Sequence, residues 1–549
     1  MDFRGFFARH RIASAVAAPA ALGVAAIVAT TFALTSSPQT RDTQLTSSVT
    51  ECHDMVSISV AGRNDTPKQG TTKLLVDANG NELPAALSGD HSSEWVDPVV
   101  NPAAGAVEPG SYAAVYIAYP ANMATYEDAV NAGAANTEKV MREIAQACPD
   151  TKFSIVGYSE GADVVRRVAM KVGHQEAGAD GQYGIVDPDK VVGVVILADA
   201  GRSAGDGPFP GAKDPNHPDG FDQNYQNGKN PTPGQGALPG TSGDFGKLNG
   251  KIASFCSDGD LTCSAPQNIS LLQLVVNVGR QINVDALERD GLNPATGQDV
   301  AVVLGRIALA AFADISSNPN WLKSDETFLQ VLLKVSDPAY KPGQAPKQPV
   351  AKADAIAADT MSPLAYLPQK ILNEIIGLIV TNQNTIPVVM SDPYKLTLGP
   401  DHTGHHFDYW HDADPANGRP MTSAEYAAAW ITHLAQQAQQ GKKVDTTAKP
   451  TEADLAAAYK AAAPTTTSPT KTTTPTTTSA APTTSSTTTT SPTTTTSPAT
   501  TGTTTTTAPA PTTVAPTETT KPATTTPTTT ESAAPTTTTA APTTTATVG

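Results

Sequence analysis

Apolar and polar positions fall in short blocks whose period alternates between that of a strand and that of a helix. Residues 55–60, Met55-Val56-Ser57-Ile58-Ser59-Val60, alternate with period two and are rich in β-branched side chains, which predicts a strand. A turn, Ala61-Gly62-Arg63-Asn64-Asp65-Thr66-Pro67, follows it, and residues 113–119 predict a second strand closed by Pro120. Over 129–147 the apolar positions Val130, Ala134, Val140, Ile144 and Ala145 recur with helical spacing, and Cys148-Pro149 ends the run. A third strand is expected at 153–156, a helix from Ala162 to Val172, and a strand at 191–197 that is apolar without interruption, as strands buried on both faces are. Strands alternating with helices imply an α/β fold with a mostly parallel central sheet between two helical layers.

Beyond this block the pattern changes. Residues 201–250 are rich in Gly, Pro, Asn and Asp without periodicity and read as a long loop. Its carboxylates Asp206, Asp214, Asp219 and Asp222 are not spaced as in a calcium loop, so solvated turns are the simpler reading. A short strand at 251–255 leads into Cys256-Ser257-Asp258-Gly259-Asp260-Leu261-Thr262-Cys263. Residues 264–384 contain apolar helical runs at 269–284, 300–315, 328–335 and 367–380, separated by Pro, Gly, Asn and Asp clusters. They read as a helical subdomain with its own small core, or as a cap lining an acyl pocket, and the two are compatible. A last strand is expected at 386–390, then a loop with His402, His405, His406 and His411, then a closing helix over 422–440 with Ser423 as its cap.

Composition divides the 549 residues unequally. Residues 464–549 are almost entirely Thr, Pro, Ala and Ser, too poor in large apolar groups to offset the entropy of ordering, and read as an extended stalk. The formal charge of −16 belongs to the body and disfavours nucleic acid. Residues 1–35 place Arg4, Arg9 and Arg11 before an uncharged apolar run at 12–34, the layout of an export signal or signal anchor, followed by a linker at 36–50. Export to an oxidising compartment makes the four cysteines two disulfides rather than a zinc site, which would need a Cys-x-x-Cys pair that is absent from the sequence. The localisation expected is secreted or envelope-associated, with membrane or wall association through either terminal segment, and the body is expected to be a monomer.

Chemistry concentrates at Gly157-Tyr158-Ser159-Glu160-Gly161, where the strand at 153–156 passes into the following helix. A Gly-x-Ser-x-Gly at such a junction is the nucleophile elbow of α/β-hydrolases: the tight turn strains the serine, lifts its hydroxyl and aims a helix N-terminus at a forming oxyanion. Ser159 is thus the candidate nucleophile. Asp260, inside the cysteine-bracketed loop, and a histidine from the later loop complete the order Ser, Asp, His. A metal-dependent hydrolase using His402, His405, His406 and His411 would leave the elbow unexplained, and a degenerate, non-catalytic exported fold would leave the complete set unexplained.

Cys52 before the first strand, Tyr119-Pro120-Ala121 after the second, Cys148-Pro149-Asp150-Thr151 through Gly161, and Cys256 through Cys263 together resemble the cutinase family, in particular the secreted cutinase-like esterases and lipases of actinobacteria. The resemblance covers about 50–263 and 386–440. It implies an α/β/α hydrolase domain over 51–441, disulfides Cys52 to Cys148 and Cys256 to Cys263, and cofactor-free hydrolysis of a lipid or acyl ester by a Ser159, His406, Asp260 triad. His406 is chosen because His406-Phe407-Asp408-Tyr409 alone reproduces the family's His-x-x-Tyr spacing; the alternative is that His406 packs and His402, nearer the end of the strand at 386–390, is the base. Oxyanion donors are expected from the backbone of Glu160 and near Asn64. Three features depart from the family: Val156 and Glu160 where its elbow reads Gly-Gly-Tyr-Ser-Gln-Gly, Gly62-Arg63-Asn64-Asp65 where it has an Arg-Gly-Ser-like loop, and about 120 residues inserted before the histidine.

Overall fold

The strand-forming runs of the sequence assemble into one six-stranded sheet. The computed structural model describes residues 48–68, 70–204, 234–342, 363–417 and 421–441, with scattered positions between 453 and 460. The apolar run at 12–34, the acidic loop residues Asp206, Asp214, Asp219 and Asp222, and the stalk at 464–549 lie outside the described residues.

The strands are β1 (Met55–Val60), β2 (Ala85–Leu87), β3 (Tyr112–Ile117), β4 (Lys152–Tyr158), β5 (Val191–Leu197) and β6 (Ile252–Phe255), in the order β2-β3-β1-β4-β5-β6. All neighbours pair in parallel except β2, which runs antiparallel to β3 at one edge. β1 alternates in sequence, yet it lies at the centre and every residue of it is buried. Ser57 is tolerated there because its Oγ bonds Ser154 Oγ on β4 and accepts from Tyr112 Oη at 2.7 Å, whereas the buried Ser59 Oγ has no hydrogen-bond partner. β2 has only three residues, too few to show a period.

Helices α1 (Tyr126–Ala147) and α2 (Glu160–His174) cover one face of the sheet, packing Val130, Val140, Val164 and Val168 onto Ile58, Ile155 and Val194. On the other face Tyr426, Trp430 and Leu434 of the closing helix, with Val96, Val99 and Val100 from a short turn, meet Val156, Val195 and Phe255. The result is the three-layer α/β/α architecture that the alternation predicts. Disulfides join Cys52 to Cys148 and Cys256 to Cys263. The first ties the chain entering β1 to the chain entering β4.

Between β6 and the histidine loop come α3 (Ser270–Gly279), α4 (Val284–Asp290), α5 (Pro294–Ser317), α6 (Phe328–Ser336), α7 (Leu367–Val380) and α8 (Thr385–Met390). Four expectations need correction, three of them in this insertion. The run 269–284 is not one helix: it ends at Gly279, and Asn283 starts a new helix by accepting a hydrogen bond from the Ala286 N–H at 2.8 Å. The run 386–390 is helical rather than a strand, because a short apolar run has no diagnostic period and the sheet already ends at β6. The insertion also lacks a separate core: Val276, Val303, Ile307 and Val331 are continuous with the apolar cluster under α1 and α2. In the closing helix, α9 (Ser423–Gln439), the cap is Thr422 and not Ser423. Thr422 Oγ1 accepts from the Glu425 N–H at 3.1 Å and Glu425 Oε2 accepts from the Thr422 N–H at 2.8 Å, a reciprocal capping box.

Candidate active site

The end of β4 fixes Ser159. At φ 58° and ψ −123° its backbone sits where L-residues are strained, and the surrounding packing holds it there. A Cβ at Gly161 would stand 2.1 Å from the Val60 carbonyl oxygen, and one at Gly157 would stand 2.5 Å from the Gly161 oxygen. Strand, turn and helix can therefore close this tightly only with glycine at both positions.

Asp260 follows β6 and is fully buried. Its Oδ1 accepts from the Thr262 N–H at 3.0 Å, and its Oδ2 accepts from Tyr409 Oη at 2.8 Å and pairs with His406 Nδ1 at 3.0 Å. Burial pushes this carboxyl upward, but the charge and hydrogen bond of His406, with the bonds from Tyr409 and Thr262, outweigh it and hold it below its usual 3.8. His406 completes the line, its Nε2 lying 3.0 Å from Ser159 Oγ. The ring is 5.1 Å from the near-parallel Tyr158 ring, and Tyr158 Oη donates to the His406 carbonyl at 2.9 Å, so both the imidazole and its backbone are held by the elbow strand.

The other histidines go elsewhere. His405 is partly exposed and pairs with Asp408 at 2.6 Å, while His402 stacks on Phe407 at 4.5 Å. His411 is exposed. Among the described residues no group of three or more His, Cys, Asp or Glu side chains is gathered as metal ligands. Tyr409, noticed in the sequence only as a spacing marker, bonds the carboxylate directly.

The turn after β1 lies beside the nucleophile. A Cβ on Gly62 would be 3.0 Å from Ser159 Cβ and 3.4 Å from its Oγ. The Asn64 N–H, however, donates to the Ala121 carbonyl at 2.9 Å and is already committed. The expectation that Asn64 supplies an oxyanion donor is therefore corrected: its own N–H is occupied by the chain after β3. Arg63, one residue earlier, is anchored by the insertion. Its Nη2 pairs with Asp285 and, at 3.2 Å, with Glu288, both on α4. Asp285 also accepts from the Met123 N–H at 3.0 Å, so one carboxylate ties α4 to the loops after β1 and β3.

Glu160 is 5% exposed and neither of its carboxyl oxygens has a hydrogen-bond partner. Burial pushes its carboxyl well above the usual 4.5, the Arg63 charge opposing and Asp285 and Asp163 reinforcing the shift. Its backbone N–H, at the first position of α2, belongs to the helix-start donors that lack an intrahelical acceptor.

Residues 78–279 match the cutinase family model, a span that includes Ser159 and Asp260 but not Arg63 or His406. Over 154 residues the chain is 32% identical to the carboxylesterase Culp6 homolog of Corynebacterium glutamicum, a match covering 27% of this chain and 46% of that protein. The chain thus spans about half the length of the curated relative it matches. Among solved structures, lysin B from mycobacteriophage D29 is 19% identical, covering 45% of this chain and 86% of that one with a TM-score of 0.28. The catalytic core of an acetyl xylan esterase from Trichoderma reesei is 18% identical over 46% and 97%, with a TM-score of 0.26. Likenesses at this level carry nothing about chemistry.

Proposed function

From the premise that residues 78–279 make this chain a member of the cutinase family, we propose that it is an exported serine esterase hydrolysing carboxylic esters of lipids or other acyl compounds. The observation that carries this reading is the unbroken line from Ser159 Oγ through His406 to Asp260, with both links at 3.0 Å. Ser159 attacks the ester carbonyl while His406 Nε2 takes its proton. Asp260 holds the Nδ1 proton toward itself, fixing the tautomer and stabilising the imidazolium. The same proton passes to the leaving alcohol, and water then repeats the sequence to release the acid.

The developing oxyanion is held by the Glu160 N–H and, in place of Asn64, by the Arg63 N–H, each donor contributing about 3–4 kcal/mol. The nearness of Gly62 to Ser159 supports Arg63 in this role. Burial disfavours the charged form of the Glu160 side chain, which works against negative charge beside the oxyanion. The two disulfides suit an oxidising compartment, and residues 1–35 act as the export signal or anchor.

The test is Ser159→Ala, for which turnover of a chromogenic ester should fall by about four orders of magnitude or more with the melting temperature kept. Fluorophosphonate labelling should vanish with it. Labelling that survives the substitution puts the nucleophile elsewhere.

A further inference from the structure

The large apolar side chains left exposed in the described structure all lie between Leu271 and Met390, within α3 to α8 and their connections, and the hydrolase core exposes none. Their arrangement says what could cover them. On α7, Leu367, Ile371, Leu372, Ile375, Ile376 and Ile379 are each 41–64% exposed. At 100° per residue they sweep about 180° of the helix circumference. A helix that packs on a protein surface buries a stripe of roughly 100°, so one flat partner would leave much of this arc in water.

α5 repeats the pattern. Val303, Ile307 and Ala311 form its narrow buried stripe, whereas Val302, Leu309 and Phe312 stand 63%, 72% and 66% exposed on its other sides. By length and composition α5 could cross a membrane, but Lys334 on α6 holds its Asp314 at 2.6 Å, fixing it to the folded body. α8 adds Ile386 and Met390, 73% and 66% exposed. Helices with an exposed apolar arc this wide, yet attached to a folded domain, suit a fluid apolar medium into which they sink.

Of the segments outside the described residues, 12–34 alone carries a long uninterrupted apolar run. That run is itself about long enough to span a bilayer. A span there would keep Ser48 within roughly 45 Å of the membrane, the extended reach of the intervening 13 or so residues. The long apolar run in the sequence before the described residues would thus hold the described body near a membrane.

We propose that α5, α7 and α8 form a lipid-docking face that enters the apolar boundary of a bilayer independently of the N-terminal run. Apolar burial drives the docking, not headgroup charge, as expected for an acidic protein. α4 of the same insertion holds Arg63 at the candidate site, so docking presents that site to acyl esters in the lipid.

The test uses the full chain carrying Val24→Asp and Ile27→Asp, which disable the N-terminal run as an anchor, floated with uncharged phosphatidylcholine vesicles. The protein should float, and about 0.5 M salt should not release it. Adding Ile375→Glu and Ile379→Glu should lower the bound-to-free ratio at least tenfold, since each change sets a charge in the apolar boundary, with near-ultraviolet circular dichroism and melting temperature unchanged. If those two changes disturb the fold, Phe312→Glu on α5 takes their place. Failure to float without the N-terminal anchor, or equal flotation of the glutamate variants, overturns the proposal. So does a vesicle-free dimer that the glutamate variants dissolve, which would make the cover a second copy of the chain. None of these readouts depends on ester turnover, so the esterase reading stands or falls separately.

Discussion

Replacing Glu160 by glutamine should stabilise the protein at neutral pH and leave it unchanged in acid. In the unfolded chain this carboxyl ionises near 4.5, whereas in the folded protein burial without a hydrogen-bond partner disfavours the charged form and pushes the carboxyl well above that. Below pH 4.5 both states are protonated and the group contributes no penalty. Above it the unfolded state gains about 1.36 kcal/mol per pH unit that the folded state does not share. The penalty therefore grows with pH for as long as the folded group keeps its proton. Glutamine has nearly the same shape, is neutral in both states, and removes this term. Urea unfolding with the disulfides intact, from pH 4 to 8, measures it: the variant and the parent should coincide near pH 4 and separate as pH rises above 4.5, by about 1.36 kcal/mol per pH unit until the folded group ionises, with the variant's midpoint at the higher urea concentration. The reasoning fails if glutamine is less stable at pH 7. That result would mean that Glu160 is ionised in solution and paired with Arg63, whose Nε and Nη1 also lack partners.

Exchanging each histidine for glutamine should abolish ester turnover at His406 and leave it within about threefold at His402 and His405, because only His406 reaches Ser159 Oγ; a dead His402 or His405 variant with an active His406 variant reverses the assignment. Tyr409→Phe removes a hydrogen bond to a buried carboxylate and should cost about 1.5–3 kcal/mol at neutral pH. Since the folded Asp260 carboxyl is held below its unfolded value, that loss should shrink as pH falls below about 3.8, which acid titration of the unfolding midpoint will show. Asp285→Asn should lower kcat about tenfold or more on a short acetyl ester with KM little changed, because it loosens the loop that carries Arg63; an unchanged kcat would make this contact merely structural.

The elbow was legible in the sequence because strand, glycine spacing and helix are all local, and the geometry at Gly157 and Gly161 follows from them. His406 was legible through its four-residue relation to Tyr409, although the reason for that spacing, a shared carboxylate on Asp260, appears only in three dimensions. The pair of Arg63 with Asp285 had no local signal, since 222 residues separate its members. Asn64 was chosen by position in a motif, and the acceptor that occupies its N–H is Ala121, 57 residues away in sequence and beyond two strands. The run at 386–390 misled because β-branched residues in a block of five fit a strand as well as a helix end. No periodicity in the insertion indicated that its apolar positions outnumber those the fold can bury.

Ser159 and His406 are 247 residues apart in the chain, and this sets a timetable for the nascent protein. At typical synthesis rates of about 5–20 residues per second, the serine emerges some 12–50 seconds before the histidine. During that interval the elbow can form, and Asp260 can follow, yet nothing can withdraw the serine's proton. On the proposed assignment, a chain threaded outward N-terminus first stays chemically silent until the insertion has also been delivered. The acyl esters of the membrane through which it passes are then exposed to it only once the body has cleared that membrane.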